Sequence, residues 1–483
     1  MRHKVVLKIL GVLLTLFSTT LLPPALVAWW YVEQSLLAFL ISGGLTLITG
    51  VVCWLPARNF HRELRFRDGF LVVVLFWTVL ALFGALPFVI SSEVDIDITN
   101  AFFESMSGLT TTGATVLTGL DEMPRSILFY RQQLQWLGGM GIIVLAVAVM
   151  PMLGVGGMQL YRAETPGPVK NTKLTPRIKE TAKALWFIYA GLTLICMLAY
   201  WLAGMSLFDA ICHSFSTVAI GGFSTHDASM GYFNSQTILL ISGLFMVLSG
   251  INFGLHFISW RSRSLATYLR DAEAKVYLSV LLGVSIITIA VLLLAGTFTS
   301  NQDALVHGFF QVISLGTTTG FTSSGFHWWP SFLPVMLVML SAVGGCAGST
   351  AGGMKVIRLI LLYKQGKREI HQLIHPRAVI PVKIGNKPVP NEVINSVWGF
   401  LSLYILSYVV ISLAMTATGE DIVTAFSAVT ACLNNLGPGL GNVSENYAGI
   451  SSPGKWVLSA TMLLGRLELF TLLVLFSRSY WKN

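Results

Sequence analysis

Runs of about twenty apolar residues recur along this chain. In a bilayer core about 30 Å thick such a run is expected to be a helix, because no water is present there to satisfy backbone N–H and C=O groups. The runs fall near residues 36–55, 70–90, 134–153, 184–204, 237–257, 276–296, 332–362, 393–416 and 456–476. An earlier run reaches Trp30, and its basic start at Arg2, Lys4 and Lys8 is that of a secretory signal. No small-residue cleavage site follows, so it is expected to be retained as half of a helical hairpin, making ten crossings in all. Composition excludes a soluble globule and a disordered chain: 11% of the 483 residues are charged, 54% are hydrophobic, and mean hydropathy is +0.71. Nucleic-acid binding is excluded on the same ground, despite a net charge of +9.

The excess charge is explained by where it lies. Alternate connections hold nearly all of the 31 Lys and Arg. They are the N-terminus, Arg58 to Arg67, Arg162 to Lys183, Arg261 to Lys275, Lys355 to Lys387, and Arg478 with Lys482. The opposite side keeps Arg125, Arg131 and Lys455 among many acids, including Glu33, Glu93, Asp97, Asp121, Asp227 and Glu445. Positive-inside bias then places both termini in the cytoplasm. The outer acids either concentrate cations at a vestibule or are simply tolerated in short loops. Cys53, Cys196, Cys212, Cys346 and Cys432 lack CxxC spacing and read as small buried residues.

Four segments between the spans resemble one another: NAFFESMSGLTTTGAT from Asn100, DAICHSFSTVAIGGFS from Asp209, HGFFQVISLGTTTGFT from His307 and TAFSAVTACLNNLGPG from Thr424. Aligning Gly113, Gly222, Gly320 and Gly437 brings Ala101, Ala210, Gly308 and Ala425 into register, and likewise Ser107, Ser216, Ser314 and Ala431. A period of about a hundred residues is an internal repeat of span, short helix, polar turn and span. Some eleven residues before each turn suffice for a re-entrant helix of about 16 Å. Irregular backbone at that depth is tolerated where it lines a cavity, and glycine lets successive carbonyls point inward. A ring of such carbonyls, facing the negative ends of four helix dipoles, suits a dehydrated potassium ion.

With those turns, the sequence resembles the Trk/Ktr/HKT superfamily of potassium transporters, within it the bacterial TrkH/TrkG-type membrane subunits, and the resemblance covers essentially the whole chain. It implies an all-α polytopic membrane protein, with four span/pore-helix/span repeats around one pseudo-fourfold pore. The expected division is an N-terminal hairpin at 1–67 and repeats at 68–160, 161–265, 266–375 and 376–483. The resemblance also implies K+ binding by main-chain carbonyls of Thr111 and Thr112, Ile220 and Gly221, Thr318 and Thr319, Asn435 and Leu436, beside Gly113, Gly222, Gly320 and Gly437. The fourth turn departs most from the pattern, with Asn434, Asn435 and Leu436 replacing threonines.

Five glycines, Gly344, Gly345, Gly348, Gly352 and Gly353, interrupt the run from Phe332 to Leu362. At about 1 kcal/mol each relative to Ala, they disfavour continuous helix. The stretch resembles the family's intramembrane gating loop; the alternative is a close-packed small-residue interface. Arg466, expected about twelve residues into the last span, is too deep to snorkel, and Glu468 does not share its helix face. The resemblance places Arg466 beneath the filter, as part of the gate or as a donor to carbonyls freed by the loop.

His371 and His375 lack a third metal ligand. Glu104, His213, Gln311 and Ala428, equivalent in the four short helices, read as polar packing, and Asp209 reads as a helix cap. No paired nucleophile and base recurs, so the chain is expected not to be an enzyme. The expected activity is uptake of K+, as the permeant ion, across a bacterial inner membrane; the alternative is a secondary transporter coupling K+ to H+ or Na+. The family further implies a homodimer, contact with membrane lipid, and a cytosolic TrkA or RCK-type ring that alone binds nucleotide, NAD or ATP/ADP.

Overall fold

The structure is a computed structural model that describes residues 3–60, 66–149, 178–330, 332–385, 387–467 and 469–482. Arg2, Arg62, Arg65, the basic stretch from Arg162 to Arg177 and Glu468 lie outside the described residues. The regular secondary structure of the described residues is helical apart from one two-stranded ladder, Lys383–Ile384 with Lys387–Pro388. It is an all-α polytopic membrane protein.

Helices α1 (His3–Thr19), α2 (Leu22–Tyr31) and α3 (Ser35–Trp54) form the hairpin. Two glycines let α1 and α3 meet closely: a Cβ on Gly11 would lie 2.7 Å from the Gly50 carbonyl oxygen, and one on Gly50 2.9 Å from that of Gly11. The hairpin is pinned at both ends. At one, Lys8 Nζ donates to the carbonyls of Arg58 and Phe60, each at 3.0 Å. At the other, the Glu33 carboxylate accepts from the N–H groups of Arg125 and Ser126, and Glu93 accepts from that of Ser35.

The rest runs span, short helix, span four times. Helices α4 (Phe66–Ile90), α5 (Ile98–Leu109) and α6 (Arg125–Val149) come first, then α7 (Ile178–Leu202), α8 (Leu207–Ala219), α9 (Gln236–Ser249) and α10 (Phe253–Ser262). After α11 (Ala266–Arg270) follow α12 (Ala272–Ala295), α13 (Asn301–Gly316), α14 (Leu333–Leu340) and α15 (Val356–Ile374). Last come α16 (Asn391–Ala417), α17 (Ile422–Leu433), α18 (Ser452–Arg466), α19 (Phe470–Leu473) and α20 (Arg478–Trp481). The short helices α5, α8, α13 and α17 start on side-chain caps, Asp97, Ser206, Ser300 and Asp421. Asp209 is therefore not the cap of α8: Ser206 Oγ accepts its N–H and donates back to its carboxylate.

Not all of the ten expected crossings are single apolar helices, and the run 134–153 continues into residues outside those described. Among the described residues six helices are long and apolar enough to cross a membrane, or eight if each bent pair is one span. The run 237–257 breaks around Gly250, so that α9 and α10 lie at 94°. The polar residues Arg131, Gln132, Gln133 and Gln135 in α6 lower its hydropathy, and all four are buried, Arg131 and Gln135 against the turns, Gln132 against Ser216 of α8 and Gln133 against the Thr20 carbonyl.

Polarity is distributed inside out. Leu282, Ile286 and Leu294 of α12 are exposed, the last by 88%, and so are Ile405, Val410 and Leu413 of α16. The interior holds Ser105, Ser107, Thr110, Thr112, Gln135, Ser216, Gln311 and Thr319, all with no exposed surface. Apolar residues face lipid and polar ones face the centre, as polar groups in a membrane require.

Candidate functional site

The four turns have one backbone conformation. After each short helix one residue takes left-handed angles, Thr111 (φ 54°), Ile220 (54°), Thr318 (69°) and Asn435 (53°). Two residues later glycine also has positive φ: Gly113 (80°), Gly222 (80°), Gly320 (84°) and Gly437 (96°). The hydrogen bonds repeat as well: Thr112 N–H to Ser107 O, Gly221 to Ser216, Thr319 to Ser314 and Leu436 to Ala431, all at 2.8–2.9 Å. With Thr111 N–H to Gly108 O and its counterparts, each short helix ends in a Schellman motif. That motif usually has glycine at the left-handed position. Threonine and isoleucine there are β-branched outliers costing about 1–3 kcal/mol each. Sequence reading identified the glycines and missed these strained neighbours, because Thr and Ile carry no left-handed signal.

The loops close into a ring in chain order. A Cβ on Gly113 would collide with the carbonyl oxygen of Gly221, one on Gly222 with that of Thr319, and one on Gly320 with that of Leu436. One on Gly437 would lie 2.7 Å from that of Thr112. So Gly113, Gly222, Gly320 and Gly437 each admit a carbonyl from the next loop, and the fourth returns to the first. All four glycines line one cavity of about 370 Å³, whose wall also includes Arg131, His226, Asp227, His327 and Glu445.

Most of the outer acids hold backbone in place. Asp227 accepts the N–H groups of Gly119 and Leu120, at 3.1 and 2.8 Å, and so ties the segment after the second loop to that after the first. His226 lies between the carboxylates of Asp121 and Asp209 and stacks on Tyr232. Gln135 clamps the second loop: Nε2 donates to Gly221 O at 2.6 Å and Oε1 accepts Phe223 N–H at 3.0 Å. Glu104 meets Arg131, a pairing hidden in sequence because Arg131 reads there as an outer-loop residue.

The Gly344–Gly353 segment reaches the loops from the side of the helix ends. Thr350 Oγ1 donates to Val218 O at the end of α8 (3.0 Å). Gly352 N–H donates to Thr318 Oγ1 (2.7 Å), and Gly353 N–H to Asn434 O (3.1 Å). Arg466 completes the set, with Nη1 donating to Thr111 Oγ1 (3.1 Å) and to Thr350 O (3.4 Å), and Nη2 to the carbonyls of Gly138 and Gly139. The segment thus touches three loops or helix ends directly and the first through Arg466. Gly344, Gly348 and Gly353 take positive φ, and Gly345 N-terminal to Cys346 packs on Gly250 O. Arg466 is the last residue of α18 rather than the middle of a span, a position where a cation also meets the negative helix end. Glu273 ties the segment to the start of α15 by accepting the N–H groups of Ala347 within it (2.8 Å) and of Ile357 beyond it (3.1 Å).

The family model for TrkH, described as a cation transport protein, matches residues 35–483. The chain belongs to this family. Similar proteins include Trk system potassium uptake protein TrkH of Vibrio parahaemolyticus, 54% identical over 485 residues, and that of Escherichia coli K12, 54% identical over 483; both alignments cover all of each chain. Trk system potassium uptake protein TrkG of E. coli K12 is 42% identical over 480 residues, 99% of each chain. The crystal structure of the potassium transporter TrkH from V. parahaemolyticus superposes with a TM-score of 0.91 at 52% identity, covering 100% of both chains.

Proposed function

We propose that this family member takes up potassium ions across a bacterial inner membrane, through a selectivity filter made by the carbonyls of Thr111 and Thr112, Ile220 and Gly221, Thr318 and Thr319, Asn435 and Leu436. The observation that carries this reading is the closed ring: four loops of one backbone conformation, each seating a carbonyl against the next loop's glycine, around one cavity. Backbone carbonyls so fixed replace a hydration shell, and the four helix C-termini behind them favour a cation. A membrane potential of 100 mV contributes about 2.3 kcal/mol per charge, enough to drive accumulation without a coupling ion. The names of the relatives, all potassium uptake proteins of a Trk system, support the same reading.

In this reading the Gly344–Gly353 segment and Arg466 form the gate, because they contact three of the loops and the end of α8 behind the second. The basic helix α15 leaves that segment directly, and a cytosolic nucleotide-binding ring of the TrkA or RCK type is proposed to act on it. Both termini are read as cytoplasmic, the membrane unit as a homodimer, and the chain as a hairpin (1–67) followed by four repeats. Purified protein in proteoliposomes tests the function. Current reversal is expected to follow the K+ gradient at constant pH; reversal indifferent to K+ would overturn the proposal, and a shift with pH at fixed K+ would favour the coupled alternative.

A further inference from the structure

Glu104 and Arg131 form an ion pair at 2.7 Å with neither side chain exposed. Taking two charges out of water costs several kcal/mol per ion, so such a pair is a weak choice for stability alone. The equivalent positions in the other short helices do without charge. His213 bonds Ser224 Oγ, Gln311 bonds the backbone of Phe321 and Ser323, and at Ala428 the neighbouring Ser427 bonds Leu440. The first unit alone spends an ion pair where neutral groups serve elsewhere.

What the pair holds explains the difference. Glu104 accepts from Thr115 Oγ1 (3.0 Å) and Val116 N–H (2.9 Å), just past Gly113. Arg131 donates from Nη2 to the same Thr115 Oγ1 (2.9 Å) and from Nη1 to Ser224 O (3.1 Å), two residues past Gly222. Its guanidinium also covers the Phe223 ring, 4.3 Å from the centroid. Thr115 O in turn accepts Tyr447 N–H at 2.7 Å, which carries the connection to the fourth unit. One planar fork thus spans two adjacent loops, a task a neutral side chain with fewer donors cannot perform. Arg131 also lines the cavity, so Glu104 cancels a full positive charge at the mouth of a cation path.

We infer that the Glu104–Arg131 pair is a positioning and specificity-determining brace, which fixes the first and second loops relative to each other and keeps the outer mouth neutral. The inference rests on the filter reading above. Glu104→Gln leaves the Arg131 charge uncompensated beside the path, and K+ flux is expected to fall about tenfold. Glu104→Gln with Arg131→Gln removes the charge, so flux recovers to within about threefold of wild type while the K+/Na+ permeability ratio stays depressed, because the bridge is gone. Arg131→Lys keeps the charge but loses the fork, and is expected to lose selectivity with a smaller fall in flux than Glu104→Gln.

Full-length protein in proteoliposomes, with reversal potentials in K+/Na+ gradients and K+ flux, reads these outcomes, and Gly222→Ser serves as the filter control. If Glu104→Gln does not fold, Arg131→Lys and the double variant carry the test. A wild-type permeability ratio in the variants that fold overturns the brace. A double variant no faster than Glu104→Gln overturns its electrostatic part. If Gly222→Ser still lowers the ratio in those cases, the filter reading survives alone; if it too leaves the ratio unchanged, the filter reading falls.

Discussion

Serine at Gly222 is expected to lower the K+/Na+ permeability ratio at least about fivefold, and the structure gives the reason twice over. Gly222 has φ of 80°, where an L-residue pays about 1–2 kcal/mol. Its Cβ would also land on the Thr319 carbonyl oxygen, and since the obstacle is backbone, no rotamer change relieves it. Thr319 is itself held by its N–H bond to Ser314 O at 2.8 Å, so the response open to it is to turn the carbonyl out of the ring. One or two kcal/mol of altered ion preference corresponds to a factor of about 5–30. Gly113→Ser should behave alike through the Gly221 carbonyl. Gly437→Ser should be the mildest of the four, because its Cβ would still press on the Thr112 oxygen at 2.7 Å but the other three approach their carbonyls more closely. Reversal potentials under opposed K+ and Na+ gradients measure the ratio. Unchanged ratios in both Gly113→Ser and Gly222→Ser, or a Gly437→Ser more severe than either, would refute the ring argument.

Three further outcomes are expected. Arg466→Ala removes a guanidinium that joins Thr111, Thr350 and the Gly138–Gly139 carbonyls, and Glu273→Ala frees the glycine segment from the start of α15. The charge-assisted bonds of Arg466 are worth about 1.5–3 kcal/mol each and those of Glu273 at least about 0.5–1.5, so both variants should raise basal K+ flux in liposomes, and wild-type or lower flux in both folded variants would remove the gate. Charge reversal at Lys364, Lys367 and Arg368 should weaken co-purification with a cytosolic ring. Lys364 already donates to Lys383 O and Arg368 to Asn391, so the exposed Lys367 gives the cleanest test, and undiminished binding would move the docking surface elsewhere. Burial opposes protonation of His226, but its hydrogen bonds to Asp209 and Asp121 outweigh burial and raise its pKa. Its contribution to stability is therefore complete below the unfolded value of about 6.5 and is lost as pH rises through the folded value. Thermal unfolding should show wild type losing its advantage over His226→Gln as pH increases through that range; an advantage independent of pH would refute the pairing.

The membrane setting and the fourfold plan were legible in the sequence because both rest on local rules. An apolar run long enough to cross lipid has to be helical. Glycine recurring with the same neighbours at Gly113, Gly222, Gly320 and Gly437 marks backbone that other residues cannot adopt. The break at Gly344–Gly353 follows from the same propensity argument. Everything that depends on which segments meet had to wait for the tertiary structure. The strain at Thr111, Ile220 and Thr318 is imposed by the Schellman ends and by neighbouring loops, against the preference of those residues. The bend beyond Gly250 and the placement of Arg466 at a helix end shorten two runs whose hydropathy alone reads as continuous. Arg131 lies 27 residues from Glu104 and Gln135 lies 86 from Gly221, distances over which composition carries no pairing information. Periodicity and glycine specify each unit, whereas the closure of four units into one ring is decided by side chains and carbonyls that only the folded chain brings together.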